Sequence, residues 1–303
     1  MMLICDTHAD TLWNMAWPER PAEQPYDITK EYLTAYDGVR VQALALYIPP
    51  HGMEQKPTYV ERELAAFEKL KAEGWKQITD VSQAEAGQAN VMLTIEGCEA
   101  FQGSVDEVDR LAALGVRMGA LTWNTPNGLC TPACESAEGG ITPLGWTIVR
   151  RMREKRMAVD VSHLNEAGFY DLLDGGAPPM ASHSCVRSLC NHFRNLTDDQ
   201  LKQLFQAGGF VGVNFCPSFL SEDGKADVNR VIDHMAYMCD LGGENHIGFG
   251  SDFDGIDDWP IGLRNAAEVP NLIEGLRRRG FGEKLVEKIA GLNFKAYMER
   301  IEG

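Results

Sequence analysis

Arg156-Met157-Ala158-Val159-Asp160-Val161-Ser162-His163 is an apolar run that ends on polar side chains. Residues 142–154 before it and 165–173 after it carry apolar side chains at helical spacing. A strand apolar on both faces, set between two helices, belongs in a parallel sheet covered on both sides. The same alternation extends outward in both directions. Short runs rich in Val, Ile and Leu recur at 3–7, 39–48, 90–96, 118–123, 179–183, 210–215 and 246–252. Helical spacing returns at 59–73, 105–114, 198–206 and 228–241, and Leu196-Thr197-Asp198-Asp199 supplies a cap-like start. Eight such units in 303 residues predict an α/β fold of the closed (β/α)8, TIM-barrel kind, forming one domain over 1–303 with a helical tail. A doubly wound open sheet is the alternative, but no GxGxxG turn follows an early strand.

Five loops, 17–27, 49–57, 124–140, 216–227 and 254–262, are rich in Pro, Gly and polar residues. Each is read as following a strand, which gathers them on the C-terminal face of the barrel, where they can line or cover a site. Composition narrows the partners. Lys and Arg number 28 against 44 Asp and Glu, a net charge of -16 with a pI of about 4.9. Nucleic acid and anionic membranes call for concentrated basic residues, so neither is expected as the main partner. No apolar stretch approaches the roughly 18 to 20 residues that span a bilayer, and the N-terminus lacks the pattern of a signal peptide. The eight cysteines are scattered without a CxxC pair, as expected of reduced, mostly buried thiols in the cytoplasm. Cys130 and Cys134 could clip a loop or hold a metal, although their spacing favours no special role.

The chemistry sits where the apolar runs stop. Asp6-Thr7-His8-Ala9-Asp10 closes the first run, and a side-chain period of two would turn Asp6, His8 and Asp10 to one side. Glu96 closes the third run, His163 the fifth, His183 the sixth, and Asp252 with Asp254 the last. Taken singly, such residues commonly cap a helix or complete a hydrogen bond. Together they place three histidines and several carboxylates at the ends of five strands that one barrel would bring together. Mixed imidazole and carboxylate ligation suits zinc or a similar divalent ion. A metal would also offset the expense of crowding buried carboxylates. His234 and His246 end no strand and are read as structural, while His51 and His192 could reach the site from loops.

In order along the chain, DTHAD, TIEG, DVSH, SHS followed by Arg194-Asn195, and GFGSDFDG resemble the renal, or membrane, dipeptidase family of zinc peptidases. The resemblance runs over nearly the whole chain and points to an unanchored member of bacterial type. It implies two zinc ions at the C-terminal face of a metal-dependent hydrolase barrel. By motif, His8 and Asp10 would bind one ion, His163 and His183 the other, and Glu96 would bridge them. Asp252 would handle the catalytic proton, and Arg194 would hold the free carboxylate of a dipeptide substrate. A homodimer is expected by family analogy alone.

One position departs from the family. Mammalian relatives carry a His after Leu-Thr that contacts the substrate, and here the run reads Leu121-Thr122-Trp123-Asn124. Polarisation of the carbonyl must then come from the metal, from Asn124 or from a loop. The implied reaction is hydrolysis of a free dipeptide by a metal-activated water, with a D-residue at the C-terminal position as an open question. Two other readings compete. One is a different binuclear hydrolase on the same barrel, acting on lactones, cyclic amides or phosphoesters. The other is a binding protein that has lost its chemistry, against which stands the presence of every implied ligand and of Asp252. Ser162, Ser182, Ser184 and Cys185 lie beside the ligands and are read as supporting or packing residues, not nucleophiles.

Overall fold

The computed structural model describes residues 1–17, 25–176 and 178–302. Nine parallel strands form one sheet: β1 Leu3–Asp6, β2 Val39–Tyr47, β3 Lys76–Gln77, β4 Asn90–Glu96, β5 Met118–Ala120, β6 Ala158–Asp160, β7 Met180–Ser184, β8 Phe210–Val213 and β9 Ile247–Phe249. The order β2-β1-β9-β8-β7-β6-β5-β4 closes on itself because β2 also pairs with β4, from Val41 opposite Asn90 to Tyr47 opposite Glu96. The closed eight-stranded barrel with surrounding helices is the one expected from the alternation of apolar runs and helical stretches. The two-residue β3, which no apolar run announced, adds to the outside of β4. Most strands are shorter than their runs. β6 ends at Asp160, so Val161–His163 belong to the turn beyond it.

Helices form where capping and spacing agree. Pro143–Glu154 starts on Thr142, whose hydroxyl accepts from Gly145 N–H, with Pro143 in the first turn. Asp198–Gln206 starts on a capping box in which Thr197 and Gln200 satisfy each other's backbone donors. These helices bury Ile148, Val149 and Met152, and Leu201, Leu204 and Phe205, in the layer between strands and helices.

The barrel interior is apolar at its N-terminal end. Cys5, Met92, Met118, Met180 and Phe210 form a buried cluster with Phe294, Tyr297 and Met298. These last three come from the closing helix Asn293–Glu302, which plugs that end. Phe210 stacks obliquely against both Phe294 and Tyr297, at 5.4 and 6.0 Å. The loop residues gather at the other end. Loops after β5, β8 and β9 line a common cavity, and Trp17 and Asp27 join them. Loop 17–27 follows the short helix Thr11–Ala16 and not a strand, and its residues 18–24 lie outside the described residues. No helix among the described residues is long and apolar enough to cross a membrane. All eight cysteines are free, five of them buried, with Cys130 buried and Cys134 exposed.

Candidate metal centre

Glu96, the last residue of β4, is the hub. Its Oε1 lies 2.9 Å from His163 Nε2, 3.5 Å from His183 Nε2 and 3.6 Å from His8 Nε2. His8 Nε2 is in turn 3.3 Å from Asp10 Oδ2 and 3.7 Å from Asp252 Oδ1. The ligand atoms fall into three groups compact enough to hold a metal ion. These are His8, Asp10 and Glu96; Glu96, His163 and His183; and His8, His183 and Asp252. Glu96 is common to the first two. All six residues are buried, Asp252 the least so.

Different backbone devices place them. Only Glu96 and His183 stand within strands; the others lie in the turns just beyond. β1 ends at Asp6, so the period of two lapses there, and Asp6 does not join His8 and Asp10. Its Oδ1 accepts instead from Ser251 N–H at 2.9 Å, which ties β1 to the end of β9. His163 and Asp252 reach inward from left-handed backbone, with φ of 68° and 65°. Gly255 packs so closely that a Cβ there would meet Asp10 Oδ2 at 2.1 Å and Asp252 Oδ1 at 2.7 Å. Only glycine leaves room for both carboxylates.

Two observations fit a divalent metal to these residues. His8 Nε2 and Asp10 Oδ1 are buried without a hydrogen-bond partner, a state that is expensive unless something else bonds them. The Nδ1 atoms of the other two imidazoles are taken up by partners, Asn124 Oδ1 at 2.9 Å from His163 and Ser182 Oγ at 2.8 Å from His183, which leaves Nε2 turned to the centre. Electrostatics agree. Burial and the neighbouring Asp10 push the Glu96 carboxyl well above the usual carboxylate range. Burial alone would lower His8, yet Asp10, Glu96 and Asp252 together lift it to about 10. Burial, aided by Arg194 and His8, drives His163 and His183 well below the usual imidazole range.

A cavity of about 820 Å³ opens over the centre, lined by Asp10, Glu96, His163 and Asp252, with Trp13, Trp123, Phe219 and Trp259 among its walls. Arg194 lines it too. Its guanidinium lies over the Phe219 ring at 5.6 Å, makes one long bond to His183 O at 3.4 Å, and leaves Nε buried without a partner. Trp123 packs edge-on against Tyr47 at 5.1 Å and lies 6.0 Å from the His163 ring. His192 lines the cavity, while His51 packs among Trp13, Trp17 and Tyr59. One supporting residue escaped the sequence reading. Asn214, just past β8, donates to Asp252 Oδ2 at 2.9 Å, and its only signal was a polar residue inside the run 210–215.

An eight-stranded barrel with convergent imidazole and carboxylate groups at its C-terminal mouth has the layout of a metal-dependent hydrolase. The chain belongs to the membrane dipeptidase family, peptidase family M19, whose model matches residues 1–303. It is 34% identical over 234 residues to an uncharacterized Klebsiella pneumoniae protein from the pqqA 5' region, covering 73% of this chain and 86% of that one. It is 33% identical to the dipeptidase tcpJ of Claviceps purpurea, over 72% of this chain and 52% of the relative. The chain thus spans about half the length of that fungal relative, and the same holds for two uncharacterized Schizosaccharomyces pombe dipeptidases at 51% and 54%. A crystal structure of a Rhodobacter sphaeroides metallopeptidase, liganded with a phosphinate mimic of the dipeptide L-Ala-D-Ala, superposes with a TM-score of 0.84 at 25% identity, covering 99% of both chains.

Proposed function

We propose that this chain, acting as one barrel unit over 1–303, hydrolyses the peptide bond of free dipeptides with two zinc ions. His8, Asp10 and Glu96 would hold one ion, and Glu96, His163 and His183 the other. The observation that carries this reading is the position of Glu96 Oε1 among three imidazole Nε2 atoms, all within 3.6 Å. When bound, such a pair supplies a water of lowered pKa and polarises the scissile carbonyl. The chain's own residues do the rest. Arg194 presents a planar, largely unpartnered fork that matches the free carboxylate of a substrate ending one residue after the cleaved bond. Asp252, with Oδ2 held by Asn214 and Oδ1 toward His8, takes a proton from the attacking water and hands it to the leaving amine. Asn124 orients His163 and, from the cavity wall, replaces part of what the histidine of mammalian relatives does at the Trp123 position. The mimic bound to the Rhodobacter sphaeroides protein supports acceptance of a D-residue at the C-terminal position.

The test is hydrolysis of a panel of L-L and L-D dipeptides, their C-terminal amides, lactones and cyclic amides, before and after chelation and zinc reconstitution. Cleavage of free dipeptides should vanish on chelation, return with zinc, and fall on amidation. Arg194→Met should lower kcat/KM by roughly 2–5 kcal/mol, the range for truncating one partner of a buried charge pair. Equal turnover of amidated and free dipeptides would remove Arg194 from substrate binding. Preferential turnover of lactones or cyclic amides would transfer the site to another binuclear hydrolase.

A further inference from the structure

Asp160 ends β6 and is buried, and its hydrogen bonds are made with Ser162 and Ser182. All its hydrogen bonds are received. Oδ1 accepts the backbone N–H groups of Ser162 at 2.8 Å and Ser182 at 2.9 Å, and Oδ2 accepts the Ser182 hydroxyl. A hydroxyl has one proton, so Ser182 has only lone pairs left to offer. Ser182 Oγ lies 2.8 Å from His183 Nδ1 and must accept there. The imidazole proton is then on Nδ1 and the lone pair on Nε2, the atom 3.5 Å from Glu96 Oε1 and 3.0 Å from His163 Nε2. The Ser182 backbone is held as well. Thr7 Oγ1 donates to its carbonyl at 2.6 Å, and a Cβ on Gly250 would approach that oxygen to 1.9 Å.

We propose that Asp160, acting through Ser182, is a positioning residue that locks His183 in the Nδ1–H tautomer and thereby sets the affinity of the centre for the metal ion His183 would share with His163. The inference rests on His183 being a ligand. The partner of His163 works differently. Asn124 carries both an acceptor and a donor and can serve either tautomer by turning its amide, whereas a carboxylate that accepts on both oxygens serves only one. The lock therefore resides on the His183 arm.

Asp160→Asn tests the direction of the relay. The amide oxygen can keep both backbone bonds while its NH2 donates to Ser182 Oγ, which turns the hydroxyl proton to His183 Nδ1 and drives the imidazole proton to Nε2. The readouts are nitrogen NMR of the histidines in the metal-free protein and zinc affinity by competition with a chelator. His183 should carry its proton on Nδ1 in the unaltered protein and on Nε2 in Asp160→Asn, with zinc bound roughly 10–100-fold more weakly at one of two sites. Ser182→Ala breaks the relay without reversing it and should give mixed tautomers and a smaller loss; it decides the matter if Asp160→Asn does not fold. An Nε2–H tautomer in the unaltered protein, or zinc affinity unchanged in either folded variant, would overturn the proposal. An Nδ1–H tautomer in an unaltered protein that binds no zinc would instead sink the metal reading on which it rests.

Discussion

The two ends of the barrel are built on opposite terms. At the N-terminal end, sulfur and aromatic groups from five strands pack on Phe294, Tyr297 and Met298, and the closing helix seals them. At the C-terminal mouth, three imidazoles and three carboxylates crowd together. Three of the five non-glycine residues with left-handed backbone, among those described, lie there: His163, Asp252 and Asp254. Each such residue costs on the order of 1–3 kcal/mol unless its surroundings enforce it. Buried polar atoms without partners occur at the mouth, on His8, Asp10 and Arg194, and also away from it, on Arg40 and Arg153. The difference teaches a division of labour. The plugged end supplies free energy of folding, and the mouth consumes some of it to hold side chains in positions they would not choose.

Substitutions at the two ends should therefore separate activity from stability. The largest effect is expected at the mouth. Asp252→Asn keeps the bond from Asn214 reachable but cannot carry a proton, so kcat should fall by roughly 10²–10⁴ while zinc content and Tm hold. Loss of zinc together with activity would instead make Asp252 a ligand, as its grouping with His8 and His183 permits. At the plugged end, Phe294→Ala should cost roughly 3–5 kcal/mol in denaturant unfolding and leave zinc affinity near that of the unaltered protein. A matching loss of zinc would show that the two ends are not independent.

A third variant probes the rim. His234 accepts from Val186 N–H on Nδ1 and donates from Nε2 to Leu220 O, tying the segments after β7 and β8 together. Burial lowers it from 6.5 to about 4, the Leu220 bond opposing, with Arg230 and Asp233 as its charged neighbours. The unfolded chain takes up this proton first as pH falls, so the stability is whole above pH 6.5 and drains away toward pH 4. The loss amounts to roughly 3 kcal/mol. His234→Gln should flatten this acid slope in urea titrations; an unaltered slope would assign it to other groups. The smallest effect is expected for Gly255→Ala, which pushes a methyl group against Asp10 and Asp252. Overpacking of this kind costs roughly 1–3 kcal/mol, to be read as a Tm lower by a few degrees together with about tenfold weaker zinc binding. Unchanged affinity would mean that the turn after Asp252 moves aside freely.

Much of this protein was legible in one dimension. The alternation of apolar runs with helical stretches specifies a closed parallel barrel, because strands buried on both faces can be satisfied in few other ways. The chemical types at the ends of those runs, His8, Asp10, Glu96, His163, His183 and Asp252, announce metal chemistry, since no other ordinary use gathers so many imidazoles and carboxylates at one mouth. Local rules failed where the chain left regular structure. A period of two grouped Asp6 with His8 and Asp10, but it holds only to the end of β1, and barrel closure hands Asp6 to the Ser251 backbone. Nothing local marked Asn214 as the partner of Asp252, 38 residues away, or Asp160 as the anchor of Ser182, 22 residues on. Residue type and spacing are properties of a segment, so the sequence could declare which groups would meet at the mouth. Which atom of each group faces the centre depends on the register between strands and on partners brought in by closure, and that was decided only by the tertiary structure.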